Sequence, residues 1–527
     1  MGDARTPSMR FAAGSAPVGD AVYRGLCATA AAALAVAGFG ATAVGQTRGQ
    51  ATAPEPPWLF RAGGSIDTTV TDNVLVSETA KETDVIGTAV ARAALRGNGN
   101  RGRINLAVDL GFDYYAHKTN LNSERYSGLL NGDLDLIQDY FNIAANAATQ
   151  LQSTTVGGAQ PATERSIGQN QTQVLTYSVD PTFRARAGDF ASFQAGYSFQ
   201  GSNFLDPPID TAADAPASDS YTHSADISIA AGPAFGRFGW TLSGSASDTK
   251  LSNRPVGAIG GDNSKRRNGQ ATLSYRVSAA TLLLASGGYD DIEEATLNEA
   301  TQEPYGRAGF EWRPSDRTEI RLEGGYRYGG PTFDASVSYA PREWLAVRAS
   351  YTESIETQQQ RFGGNLGGVI RDEGGNLIDP ITGLDPNVTD PNFDLSDQAF
   401  RSNRAQASVG GQIGRNSYAL TGSYEIRNAN TVETDQWSVG LSLGRQLAPR
   451  VTASVQGNYG KTAPVAGAPL PGPLPAVSTE DISASAQLDY QLGPSVYLSL
   501  QYIFSDRTSD IINSRENVGV LSLSRRF

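Results

Sequence analysis

Ile104, Leu106, Val108, Leu110, Phe112 and Tyr114 occupy every second position of one stretch, with Asn105, Ala107, Asp109, Gly111 and Asp113 between them. A period of two is the mark of a β-strand, whose successive side chains point to opposite faces. The theme returns at Ile320, Leu322, Gly324, Tyr326 and Tyr328, and at Tyr418, Leu420, Gly422, Tyr424 and Ile426. Val451 to Tyr459 and Val496 to Phe504 repeat it. These segments run to about ten residues or more, the length of a tilted membrane strand. Strands of soluble proteins are nearer five or six residues. Tyr and Phe gather toward segment ends, as in the aromatic girdles of membrane barrels.

The connections sharpen the choice. "RPSDR" (Arg313–Arg317), "APREW" (Ala340–Trp344), "GRNS" (Gly414–Ser417), "QLAPR" (Gln446–Arg450) and "QLGPS" (Gln491–Ser495) are short turns. Between them come longer ones, at Leu205–Ser218, Lys250–Asn268, Ile355–Phe400 and Lys461–Thr479. Short periplasmic turns and long outer loops are the pattern of outer-membrane barrels. The periodicity predicts strands at 60–71, 84–95, 102–116, 124–137, 140–152, 171–186, 190–202, 219–232, 237–249, 269–279 and 281–291. It predicts further strands at 303–313, 317–328, 331–340, 344–354, 402–414, 417–427, 434–445, 449–460, 480–491, 495–505 and 516–527. The fold class is therefore all-β: a transmembrane, antiparallel, up-and-down β-barrel of about 22 strands, within a range of 20–22. An even count places both ends of the barrel in the periplasm.

Composition agrees. Hydrophobic residues make up 39% of the 527, too few for a large buried core, while 9% aromatics are too many for a disordered chain. The one long apolar run, "LCATAAAALAVAGFGATA" (Leu26–Ala43), follows Arg24 and ends in small residues. It reads as a secretory signal peptide, being Ala/Gly-rich and short for a membrane span. The predicted organisation is a signal peptide at 1–45, a Pro-rich periplasmic tail at 46–58 and the barrel at 59–527. Cys27, the sole cysteine, starts the apolar run rather than ending it, so it is no lipid-attachment site and leaves with the signal. Cleavage leaves 39 basic against 52 acidic residues, a charge of −13. An acidic exported chain is a poor partner for nucleic acid.

No enzyme constellation appears. His117 and His223, the only histidines, lie near predicted loops or strand ends with no nucleophile elbow beside either. Metal-ligand spacing is absent, and no cofactor is expected. The tail is too short for a folded plug domain. On the face opposite Tyr326, Glu319, Arg321, Glu323 and Arg327 are expected to line the lumen, joined by Arg307, Glu311 and Arg313 of the preceding strand. Mixed charges there either select solutes through a transverse field or neutralise one another around water. The acidic loop Ile355–Phe400, with Asp379, Asp385, Asp390, Asp394 and Asp397 among Pro and Gly, is the expected obstruction and a source of cation preference. Phe527, with Leu521 and Leu523 on its face, has the form of a terminal assembly signal, interrupted by Arg525.

The first mature strand, "FRAGGSIDTTVTDNVLV", ends at Asp72-Asn73-Val74, and a Tyr-containing third strand follows at Phe112 to Tyr115. In this it resembles a family of outer-membrane β-barrel porins found with exopolysaccharide and PEP-CTERM/exosortase systems. The specific residues lie mainly between Pro57 and Gln152. The resemblance implies a conduit in the outer membrane of a Gram-negative bacterium, linked to exopolysaccharide export. Its implied surroundings are outer-membrane lipids, lipopolysaccharide, the barrel assembly machinery and export components. A non-conducting barrel that anchors surface polysaccharide or envelope partners through its outer loops is the alternative. Asp72-Asn73 itself reads first as a turn at a strand end.

Overall fold

The structure is a computed structural model that describes residues 57–526 apart from 154–157, 164, 166–170, 206–217, 253–262, 294–300, 343, 358–359, 362–369, 372–376, 379–398, 430–431 and 466–476. The chain divides into two units, Met1–Ala53 and Pro54–Phe527. The first unit, and with it the predicted signal peptide, lies outside the described residues, as does the predicted tail up to residue 56.

The second unit is nearly all strand. In order come β1 (Trp58–Thr71), β2 (Asp84–Gly99), β3 (Gly102–Tyr115), β4 (Ser123–Ile137), β5 (Phe141–Ser153), β6 (Gln171–Ala187), β7 (Ala191–Phe204) and β8 (Asp219–Ala231). Next are β9 (Phe238–Ser252), β10 (Asn263–Arg276), β11 (Thr281–Glu293), β12 (Thr301–Ser315), β13 (Thr318–Arg327), β14 (Gly330–Arg342) and β15 (Leu345–Glu356). Two short strands, β16 (Ile370–Arg371) and β17 (Leu377–Ile378), pair with each other. The chain ends with β18 (Phe400–Ile413), β19 (Asn416–Ala429), β20 (Val432–Ala448), β21 (Val451–Pro464), β22 (Thr479–Gln491), β23 (Val496–Ser509) and β24 (Ser514–Arg526).

Each long strand runs antiparallel to the next, with β15 pairing β18 across the small hairpin. β24 returns to β1 from Thr71↔Val518 to Gly63↔Arg526 and closes a 22-stranded ring. Closure satisfies the backbone donors and acceptors that an open sheet leaves on its edges, the condition for a sheet to span lipid. Ten connections of two to six residues lie at the rim where β1 begins and β24 ends, here the terminal rim. The other, the loop rim, carries the long connections. Three of its connections, 328–329, 430–431 and 510–513, are as short as turns.

The alternation becomes two chemically distinct faces. Phe112 and Tyr114 are 48% and 53% exposed on the outside, while Asp113 and Tyr115 between and after them are 0% and 1% exposed on the inside. Outward aromatic rings form two girdles. Near the terminal rim Phe183 meets Phe193 (6.2 Å) and Phe235 meets Trp240 (5.7 Å). Near the loop rim Trp437 meets Tyr459 (4.8 Å) and Phe199 meets His223 (4.9 Å). Apolar surface thus faces outward as a belt, the reverse of a soluble sandwich, and fits a hydrocarbon surround.

Two details depart from the periodic reading. β10 spans Asn263–Arg276 instead of 269–279, because "NSKRRN" has no apolar alternation to mark it. Pairing alone keeps it a strand there, Asn263 with Lys250 and Lys265 with Glu293. Tyr328 leaves the lipid-facing row. With Gly329 it makes the two-residue β13–β14 turn, at φ +56° and +76°, the pair of positive values a type I′ hairpin requires. Arg401 donates to its carbonyl (3.0 Å), and the Arg327 guanidinium lies 4.6 Å from its ring.

Candidate functional site: the lumen and its closure at the loop rim

Along β1 the inward positions run Arg61, Gly63, Ser65, Asp67, Thr69 and Thr71. Arg61 is exposed, whereas the residues from Ser65 onward are buried. β2 repeats the gradient from exposed Arg96 to buried Thr88, Ile86 and Asp84, and β3 from exposed Arg103 and Asn105 to buried Asp113 and Tyr115. A polar inner face is therefore wet near the terminal rim and covered near the loop rim.

Part of the cover is the β5–β6 connection, which turns into the lumen. Arg165 pairs with Asp67 of β1 at 2.6 Å, and its carbonyl accepts from the Tyr115 hydroxyl of β3 at 2.6 Å. The Ala162 amide donates to Glu516 of β24 at 2.8 Å, and Arg507 of β23 donates to Gln160. Glu516 also accepts from Thr71 at 2.7 Å. Strands on one arc of the ring, β23, β24, β1 and β3, thus hold the loop by charge-assisted hydrogen bonds in a water-poor site, where such bonds are strongest.

A second closure follows β15. Arg361 is buried between Glu356 (2.7 Å) and Glu425 (2.8 Å) and stacks over Phe400 at 5.0 Å. Burial alone would lower its pKa, but hydrogen bonding and charge from Glu425, with Glu356, outweigh that and hold it above the ordinary value. Gln360 donates to Thr249 of β9 at 2.9 Å, and Arg266 of β10 donates to the Ile355 carbonyl. These contacts cross the arc occupied by β11–β14. Of the predicted obstruction at Ile355–Phe400, this anchor and the β16–β17 hairpin are described, while Asp379, Asp385, Asp390, Asp394 and Asp397 lie outside the described residues.

Arg307, Glu311, Glu319, Arg321, Glu323 and Arg327 stand on the inward side of β12 and β13, opposite outward Phe310, Trp312 and Tyr326. They form a network. Arg307 pairs with Asp334 and, at 3.5 Å, with Glu323; Arg321 donates to Glu323 at 2.7 Å. Arg313 bridges Glu311 (2.8 Å) and Glu319 (2.9 Å), and Arg327 grips Asp290 of β11 (2.7 Å). Glycines make room for it: Arg307 sits opposite Gly325 and Glu323 opposite Gly309. A Cβ at either glycine would fall 2.1 Å from a backbone oxygen of the neighbouring strand.

Asp72-Asn73 closes the seam between first and last strands. Asp72 accepts from the Asn517 amide (2.8 Å) and side chain (2.7 Å), while Asn73 donates to Arg515 O (3.1 Å) and Ser77 O (2.8 Å). His117 caps against Asp84 at 3.0 Å, and His223 lies outward, 2.7 Å from the Tyr197 hydroxyl. Leu521 and Leu523 face outward; Phe527 lies outside the described residues. The inward β5–β6 loop was missed by sequence reasoning. One signal pointed to it: Asp67 is inward, and its cross-strand neighbours, Thr88 and Ser522, offer no cation.

The family described as "Putative beta-barrel porin 2" matches residues 56–211. Among solved structures, the FrpB iron transporter from Neisseria meningitidis is similar at 9% identity, covering 89% of this chain and 82% of that one, with a TM-score of 0.48. The ferric-catecholate import receptor Fiu from E. coli K12 is similar at 10% identity, with 88% and 81% covered and a TM-score of 0.46. The siderophore receptor PirA from Acinetobacter baumannii is similar at 7% identity, with 88% and 80% covered and a TM-score of 0.45. No curated protein matches the chain. What the chain is similar to over residues 56–211 is thus a β-barrel porin family.

Proposed function

We propose that the protein is a porin-like conduit of the Gram-negative outer membrane, acting without catalysis and serving exopolysaccharide export. The observation that carries the conduit reading is the inner face: predominantly polar and, along β1–β3, increasingly exposed toward the terminal rim. Barrels of roughly 16–18 strands already leave an aqueous channel, and this ring has 22. The export link is supported by the resemblance of the Asp72-Asn73-Val74 strand end and of Phe112–Tyr115. Lipopolysaccharide, the barrel assembly machinery and export components are the partners this role would bring.

A second reading is favoured by a specific feature. Loops buried in the loop-rim half of the lumen suit a non-conducting anchor for surface polysaccharide or envelope partners. Planar-bilayer recording separates the two. A conduit gives stepwise KCl current from the purified barrel; its absence sinks the conduit and leaves the anchor.

A further inference from the structure

Lumen-facing charge is not spread evenly around the ring. It concentrates on β1–β4 and on β12–β14. Since β12 lies eleven strands from β1 in a ring of 22, these two arcs face each other. Both are largely paired within themselves, by Arg125–Asp113, Arg103–Asp133 (3.0 Å) and Arg92–Asp109 (3.7 Å) on one side and the Arg307–Glu323 network on the other.

The intervening arcs carry fewer charges, among them Asp180, Arg184 and Arg186 of β6, Arg266 and Arg276 of β10, Glu425 and Arg427 of β19 and Asp481 and Asp489 of β22, and they contain two neutral stretches. The inward residues of β9 are Thr241, Ser243, Ser245, Ser247 and Thr249, flanked by Gly239 and Leu251. β20 and β21 likewise carry no ionisable residue on their inward faces, which include Ser438, Ser442, Gln446, Ser454, Gln456 and Asn458. Nor does β7, which lies eleven strands from β20 and so faces it. Between β7 and β9 the one ionisable inward residue is Asp226 of β8.

We infer that the solute is an uncharged, polyhydroxylated molecule that moves along these two facing walls of hydroxyls and side-chain amides. This deepens the conduit reading and rests on it. Hydroxyl and amide walls exchange hydrogen bonds with a polyol at little net cost, because such bonds replace equivalent ones to water. An ion gains nothing comparable from a neutral wall and loses hydration as the lumen narrows. The paired arcs present both signs, so neither sign of ion meets a uniformly attractive path. Aromatic stacking platforms are nearly missing from the neutral walls, Phe204 of β7 being the exception at the loop rim; this favours passage over tight capture.

The test is efflux from proteoliposomes of three trisaccharides of similar size: neutral maltotriose, anionic trigalacturonate and the protonated glucosamine trimer. Maltotriose should leave several-fold faster than either charged trimer. A charged trimer leaving as fast or faster overturns the inference. Ser228→Asp with Gln456→Glu puts carboxylates on the facing walls of β8 and β21, where the cross-strand neighbours Gln194, Ser243, Ser442 and Ser485 carry no charge, and heat-modifiable gel mobility verifies the folded barrel. That variant should slow the anionic trimer further and speed the cationic one; unchanged rates for all three would show that these walls are not the path, and also overturn the inference. KCl current separates the two levels. Current with charge-blind efflux removes the inference alone, while no current removes the conduit reading and the inference with it.

Discussion

Leu322 and Arg321 are one position apart and meet different solvents. Leu322 belongs to the outward row with Phe310, its cross-strand partner. Arg321 points inward to Glu323, which also holds Arg307. A charge on the lipid face costs about 2–4 kcal/mol at the bilayer midplane. Leu322→Arg should therefore lower the yield of folded barrel well below that of Arg321→Leu, measured by heat-modifiable gel mobility. The reverse order would mean that the strand is out of register by one, since a slip of one exchanges the faces. The glycines opposite Arg307 and Glu323 make a second residue-scale point. A charged ladder can lie flat on a barrel wall only where the partner strand has no side chain to obstruct it, so Gly309→Val should disorder the Arg307–Glu323 pair and destabilise the wall.

At the scale of elements, the first turn and the last strand are one device. Asp72 and Asn73 reach β24 through side-chain hydrogen bonds that supplement the β1–β24 ladder. A buried polar group left unpaired costs about 1–3 kcal/mol, and Asn73 is fully buried. Asn73→Ala should lower the thermal midpoint of the barrel and slow its closure, while a substitution at exposed Thr79 nearby should not. Phe527→Ala should reduce assembled barrel while leaving passage across the inner membrane intact; normal barrel levels would make the terminal aromatic incidental. The inward β5–β6 loop gives a third element-scale outcome. Arg165→Ala cuts its tie to Asp67 and should raise single-channel conductance. An unchanged conductance would remove that loop from the constriction.

For the whole molecule, the outward apolar belt and closed ring predict recovery in the outer-membrane fraction. The protein should also run faster on gels before heating than after. Recovery as a soluble periplasmic protein would contradict the membrane assignment. The two solvents also explain the composition. A chain with 39% hydrophobic residues supports this fold because most of its apolar side chains form a belt against lipid, and its interior is predominantly polar.

Much of this was legible in the residues of Ile104–Tyr114 and their repeats. A strand's period of two is local, so alternation reveals faces, strand number and the inward placement of Arg307 or Glu323 without any knowledge of neighbours. It failed at Asn263–Asn268, where both faces are polar and only pairing to β9 and β11 holds the strand. It also failed at Tyr328, whose place in a tight turn is set by where the β13–β14 hairpin reverses. The lumen's closure needed the folded ring. Arg165 and Asp67 are 98 positions apart, and nothing in the local pattern of "GGAQPATER" distinguishes an inward loop from an outer one. The facing of neutral β7 by neutral β20 has the same origin: which walls confront each other depends on the number of strands in the closed ring, a property no single segment carries.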